Sequence, residues 1–115
     1  MKVGFIHRGK KISLEAKKCN LIQRTIGLMF SRRESAKALL FDFGKLSDEA
    51  IHSFFVFYSF VAVWLNEKGK VVDLRIVKPF TFLVRPKKDF KKLVEIPINE
   101  RYKREVKFLC SEPRS

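Results

Sequence analysis

The chain is poor in the residues that punctuate, staple or acidify a protein. It has 2 cysteines, 5 glycines, 4 prolines and 1 tryptophan in 115 residues. Two cysteines exclude a disulfide-dense miniprotein, and so few glycines and prolines exclude collagen-like or low-complexity chains. Acidic groups are scarce too, 12 Asp and Glu against 25 Lys and Arg, for a formal charge of +13. No long apolar run exists. The longest uncharged stretch, Ile51 to Leu65, is interrupted by His52, Ser53 and Ser59 and is shorter than the about 20 residues that span a bilayer. The first apolar segment ends at His7, with no signal-peptide pattern. A cytoplasmic protein with no membrane partner is the expectation, with residues 1–115 forming a single domain.

What the chain has is phenylalanine, 12 in all. Each can bury roughly 150–250 Å², which lets a short chain fill a core. Cys19 and Cys110 lie far apart, with no Cys or His at ligand spacing, so no metal is implied. Two buried thiols are the expectation, a bridge between the chain ends the alternative.

The apolar pattern has period two over much of the length. Val3, Phe5 and His7 alternate before Arg8-Gly9-Lys10-Lys11, and Ile12, Leu14 and Ala16 alternate after it, which predicts a hairpin. Leu21, Ile22, Thr25, Ile26 and Met29 share one face at helical spacing, and Asn20 can cap them. One short amphipathic helix is therefore expected near residues 20–29. Further strands are expected at Ala38–Phe43, Ile51–Tyr58, Phe60–Leu65, Val71–Val77, Leu93–Ile96 and Val106–Cys110, with a single helical turn near Glu100–Arg104. Val61 to Trp64 are apolar on both faces, so that strand should be covered on both sides. The fold class is mainly β, a single-domain sandwich or distorted barrel of short, mostly antiparallel strands.

Several segments resemble a known family. Arg24-Thr25-Ile26-Gly27-Leu28-Met29-Phe30 resembles the R-x-x-G-L-M-F signature of the family called "domain of unknown function 192". Ala38 to Phe43, His52-Ser53-Phe54-Phe55, the hairpin Trp64 to Val72 and Val94-Glu95-Ile96-Pro97 resemble its further segments, in the same order. The resemblance implies a compact β-rich fold and no reaction, since the family is uncharacterised. Where such chains carry a basic residue and then Pro-Ile-Asp, this one has Phe57, Ser59, Phe60 and Val61, and Asn99 replaces a usual glycine.

Nucleotide-binding and nucleophile-elbow motifs are absent. His52, with Asp73 and Glu95 as conceivable partners, is the one polar constellation a hydrolase could use, and no residue is assigned as catalytic. Glu95, between Val94 and Ile96, is expected to face solvent from an alternating strand. Charge concentrates at the ends. Residues 1–33 carry nine basic groups against Glu15, and residues 84–115 carry ten against five. Arg32-Arg33 and Lys87-Lys88 with Lys91-Lys92 are the densest clusters, and together they could hold a polyanion such as RNA or DNA. The aromatic segment 54–60 is either ordinary core or an exposed patch that marks a homodimer interface or an apolar pocket. A non-enzymatic binding or structural module ranks first, without cofactor. Sequence-nonspecific nucleic-acid binding is the alternative, and an enzyme using His52 comes third.

Overall fold

A computed structural model describes residues 1–20 and 27–111. Most of the helix expected near 20–29 lies outside the described residues. Six strands form one sheet: β1 (Lys2–His7), β2 (Lys10–Lys18), β3 (Ala38–Ser47), β4 (Phe60–Leu65), β5 (Val71–Val77) and β6 (Phe90–Pro97). A 3-10 turn (Glu100–Tyr102) leads into helix α1 (Lys103–Cys110). The strand order is β1-β2-β3-β6-β4-β5. Neighbours are antiparallel except β2 and β3, which run parallel through Ala16–Ala38, Lys17–Leu39 and Lys18–Leu40.

The sheet curls until its edges nearly meet. The Ile6 N–H on β1 donates to the Gly69 carbonyl before β5 at 2.9 Å. Val3, Phe5, Ile12, Leu14, Val63 and Val94 fill the concave interior, which Tyr102 and Leu109 plug. The hairpin is thus as its alternation predicts. A second core lies on the convex face, where Phe41, Phe60, Trp64, Phe90 and Leu93 meet Leu28, Ala36, Val56, Tyr58 and Val84 from the loops. Strand β4 serves both cores, and Val61 to Trp64 are all fully buried.

Four expectations are corrected. Val106–Cys110 is not a closing strand but the end of α1. Tyr102, Val106 and Leu109 reach the interior at helical spacing, which prevails over the shorter alternation of Val106, Phe108 and Cys110. Ile51–Tyr58 is mostly turns, joined to Val84 by one bridge at Ile51. Strand β3 continues to Ser47, past a register shift after Asp42, whose Oδ1 accepts the Gly44 N–H at 2.9 Å. Both cysteines are free; Cys19 is half-buried and Cys110 is exposed, so neither a bridge nor two buried thiols is found. Among the described residues no helix is long and apolar enough to cross a membrane.

Candidate functional site

Strand β6 is central and covered on both faces, so its alternation separates two interiors rather than core from solvent. Val94 and Ile96 enter the concave core, and Leu93 enters the convex one. Glu95 alternates with the former pair and faces the convex side. It is only 6% exposed, not solvent-facing as expected. Among the described residues no hydrogen bond or ion pair reaches its carboxyl. Burial pushes its pKa from 4.5 up to about 8, because the charged form would lose its hydration. At neutral pH the group is mainly a protonated acid, able to donate one hydrogen bond and accept another.

Glu95 lines a cavity of about 210 Å³. Met29, Phe41, Phe43 and Phe60 are among its apolar walls, and Glu49 and His52 also line it. Gly27 adopts φ +56, a left-handed conformation that glycine tolerates without Cβ strain, and its Cα passes close to Glu95. Tyr58, outside the cavity lining, is bonded to the Ser31 hydroxyl. Burial raises the Tyr58 pKa, and the nearby Glu95 adds to that effect.

The structure brings two of the three expected polar residues to this cavity. His52 is exposed, and its Nδ1 accepts the Phe54 N–H at 3.2 Å while its ring tilts against Phe54. Asp73 is used elsewhere. Its carboxylate accepts the Lys87 N–H at 2.9 Å and the Leu74 N–H at 2.8 Å, and stands 3.4 Å from Arg75 Nε. A triad needs a carboxylate on the histidine, and here a backbone amide occupies that nitrogen. Among the described residues no cluster of His, Cys, Asp and Glu could hold a metal.

The basic residues are dispersed. Asn99 Nδ2 donates to the Arg33 carbonyl at 2.7 Å, which places Arg32 and Arg33 beyond the C-terminal end of β6. Lys87 and Lys88 precede that strand, and Lys91 and Lys92 begin it. At about 3.3 Å per residue, the stretch of β6 from Lys92 to Pro97 sets the two clusters roughly 17 Å apart. The chain ends do approach each other: His7 meets the Phe108 ring edge-on at 5.9 Å, and Lys10 Nζ lies 5.2 Å from that ring's centre.

Segment 54–60 divides between core and surface. Val56, Tyr58 and Phe60 are buried, whereas Phe55 and Phe57 are exposed. The residue that sequence reasoning missed is Ser53, which is fully buried. Its hydroxyl donates to the Lys78 carbonyl and accepts the Thr81 N–H, both at 2.6 Å. Its backbone N–H donates to the Thr81 carbonyl, and its carbonyl accepts the N–H groups of Val56 and Phe80. The only signal was its place in the His52-Ser53-Phe54-Phe55 segment.

No family model matches the chain. Curated relatives do. A UPF0127 protein of Pyrococcus furiosus is 31% identical over 93 residues, 80% of this chain and 79% of that protein. A UPF0127 protein of Pyrococcus abyssi is 29% identical over 100 residues, 84% and 85% of the two chains. Among solved structures, "a putative transcription regulator" from Sinorhizobium meliloti 1021 superposes with TM-score 0.74 at 20% identity, covering 91% of this chain and 84% of its own. A protein of unknown function from Novosphingobium aromaticivorans gives 0.72 at 10% identity, covering 90% and 76%. At these identities the two structures share the fold alone.

Proposed function

We propose, for a chain that belongs to the uncharacterised UPF0127 family, that it is a non-enzymatic binding module whose ligand occupies the cavity over Glu95. One observation carries this reading: a nearly fully buried carboxyl, without a described partner, opens onto a cavity whose walls mix apolar side chains with the polar groups of Glu49 and His52. A hydrogen bond is stronger in a site screened from bulk water than on the surface. A ligand with a small apolar body and one polar head can exchange such a bond with Glu95 while its body displaces water from Met29, Phe41 and Phe60. Gly27, Met29, His52 and Glu95 all belong to segments that resemble the domain of unknown function 192. We therefore read those segments as the walls of this site. Against an enzyme stands the occupied Nδ1 of His52 and the engagement of Asp73 with Lys87 and Arg75.

The test is a titration of the protein with short-chain amides, carboxylic acids and amines, followed by NMR. Shifts confined to Leu28, Met29, Phe41 and Phe60, and lost in Ala50→Leu, which fills the cavity, are the expected result. No perturbation by any of the three classes would overturn the reading.

A further inference from the structure

The convex surface carries a second feature, independent of the cavity. Phe30, Phe55, Phe57 and Phe80 form one cluster. Phe30 stacks on Phe55 at 5.1 Å, and Phe80 meets Phe55 and Phe57 edge-on at 6.1 and 5.3 Å. These rings remain open to solvent, Phe30 at 67% and Phe57 at 62%. Three of the four residues hold left-handed backbone, with φ of 62 at Phe30, 58 at Phe55 and 56 at Phe80, a conformation uncommon for bulky side chains. Such strain persists only where neighbouring bonds impose it. Here the Phe30 N–H donates to the Phe55 carbonyl, and the Phe80 N–H donates to the Ser53 carbonyl, both at 2.9 Å. Three loops are therefore locked in a state that holds rings outward.

Two of those rings border a cleft. Phe30 and Phe57 line it together with Arg32, Arg33, Ser31 and Ser59. Past Arg33, Glu34 and Ile98 it continues into a smaller depression that reaches Asn99 and Glu100. Glu34 lies 3.4 Å from Arg33 Nη2, and Glu34 and Glu100 are the acidic groups along the cleft.

We propose that this cleft binds single-stranded nucleic acid, with bases stacking on Phe30 and Phe57 and phosphates meeting Arg32 and Arg33. Aromatic faces beside guanidinium groups are the combination that tracks a single strand without reading its sequence. The charge of the whole chain, +13, draws a polyanion toward it. A second copy fits less well, because a twofold contact here would bring the arginines of two strongly cationic molecules together. An anionic membrane also fits less well. The arginines share the cleft with Ser31, Ser59 and Glu34, and among the described residues no further basic residue lines it to form the cationic collar that holds a protein on anionic lipid.

The test uses fluorescein-labelled oligouridylate, oligothymidylate and a DNA duplex of equal length, read by fluorescence anisotropy across a salt series. Both single strands should bind more tightly than the duplex, and binding should weaken as salt rises. Phe57→Ala, at an exposed site with ordinary backbone, should weaken single-strand binding by about fivefold or more. The double substitution Arg32→Ala with Arg33→Ala should reduce the slope of log affinity against log salt by about 0.7 for each phosphate that the arginines neutralise in the parent. Unchanged melting temperatures in both variants would show that they fold. Any of four results would overturn the proposal: no anisotropy change at low salt, equal binding of duplex and single strand, indifference to Phe57→Ala, or a sedimenting dimer that Phe57→Ala dissociates. Capture by phosphatidylserine vesicles that Phe57→Ala abolishes, with oligonucleotide binding unaffected, would reassign the surface to a membrane.

Discussion

A β-carbon on Gly27 would lie 3.5 Å from Oε1 of Glu95. The backbone of the G-L-M-F segment thus approaches the buried acid to within ordinary van der Waals distance, with no side chain between them. This close cover helps explain why the carboxyl is so little exposed, and burial is what displaces its titration.

The first prediction is a pH dependence. Glu95 has a folded pKa of about 8 against an ordinary 4.5, because burial disfavours its charge. The folded chain therefore holds this proton more tightly than the unfolded chain. The resulting stability is fully present below pH 4.5 and is lost as pH rises through 8. Its full size is on the order of 4–5 kcal/mol, an upper bound for one group. Glu95→Gln keeps a neutral head of similar shape and removes the titration. Urea unfolding at a series of pH values should give similar stabilities for variant and parent near pH 4, with the variant more stable at pH 8 and above. Parallel curves would mean that Glu95 ionises in the folded chain at its ordinary value.

A second prediction concerns the cover itself. At 3.5 Å the added carbon of Gly27→Ala sits at an ordinary separation, so collision is not the main cost. Backbone strain is, because φ is +56. An L-residue pays about 1–2 kcal/mol for left-handed backbone. Gly27→Ala should lower the urea midpoint accordingly, and the Glu95 midpoint followed by carboxyl NMR should move upward as the site dries further. A D-alanine at this position, installed by chemical ligation, should restore stability if strain rather than crowding is responsible.

The sequence made some of this legible and concealed the rest for identifiable reasons. The hairpin was readable because Val3 and Phe5, and Ile12, Leu14 and Ala16, each bury one face only. Strand β4 was readable because Val61 to Trp64 leave no polar face. Glu95 was not readable from local pattern. An acid between Val94 and Ile96 reads as solvent-facing unless the loops carrying Leu28, Ala36 and Val56 are known to cover that side. Asp73 looked available to a histidine, yet its partners are the Lys87 amide and Arg75. The apolar density of Ile51–Tyr58 suits a strand as well as it suits turns. Only the bonds of Ser53 to the 78–81 segment decide between them, and those depend on residues about 25 positions away.

Ser53 leads to a third prediction. Its hydroxyl is buried and satisfies both the Lys78 carbonyl and the Thr81 N–H. Ser53→Ala removes the acceptor of the Thr81 N–H, while the Lys78 carbonyl keeps its bond from Thr81 Oγ1 at 2.7 Å, so the cost should be about 1 kcal/mol, the worth of an ordinary hydrogen bond. Hydrogen exchange should show where the cost falls. Amides at Phe80 and Thr81 should lose protection while those of β4 keep theirs. Uniform loss across the sheet would mean that Ser53 supports the whole fold rather than this junction.

The fourth prediction addresses the one parallel pairing in the sheet. Strands β2 and β3 pair over only three positions, and Tyr102 ties that junction together. Its hydroxyl accepts the Ala38 N–H at 2.7 Å and donates to the Glu15 carbonyl at 2.8 Å, while its ring plugs the concave core. Tyr102→Phe retains the ring and removes both bonds, so packing stays nearly constant and the polar contribution is isolated. The loss should be about 1–3 kcal/mol, set by the buried Ala38 amide left without an acceptor. Tyr102→Ala adds a cavity and should cost about 3–5 kcal/mol. If Tyr102→Phe unfolds at the same urea concentration as the parent, the hydroxyl is dispensable, and the parallel pair is held by its own ladder and by the packing of Ala16 and Ala38 alone.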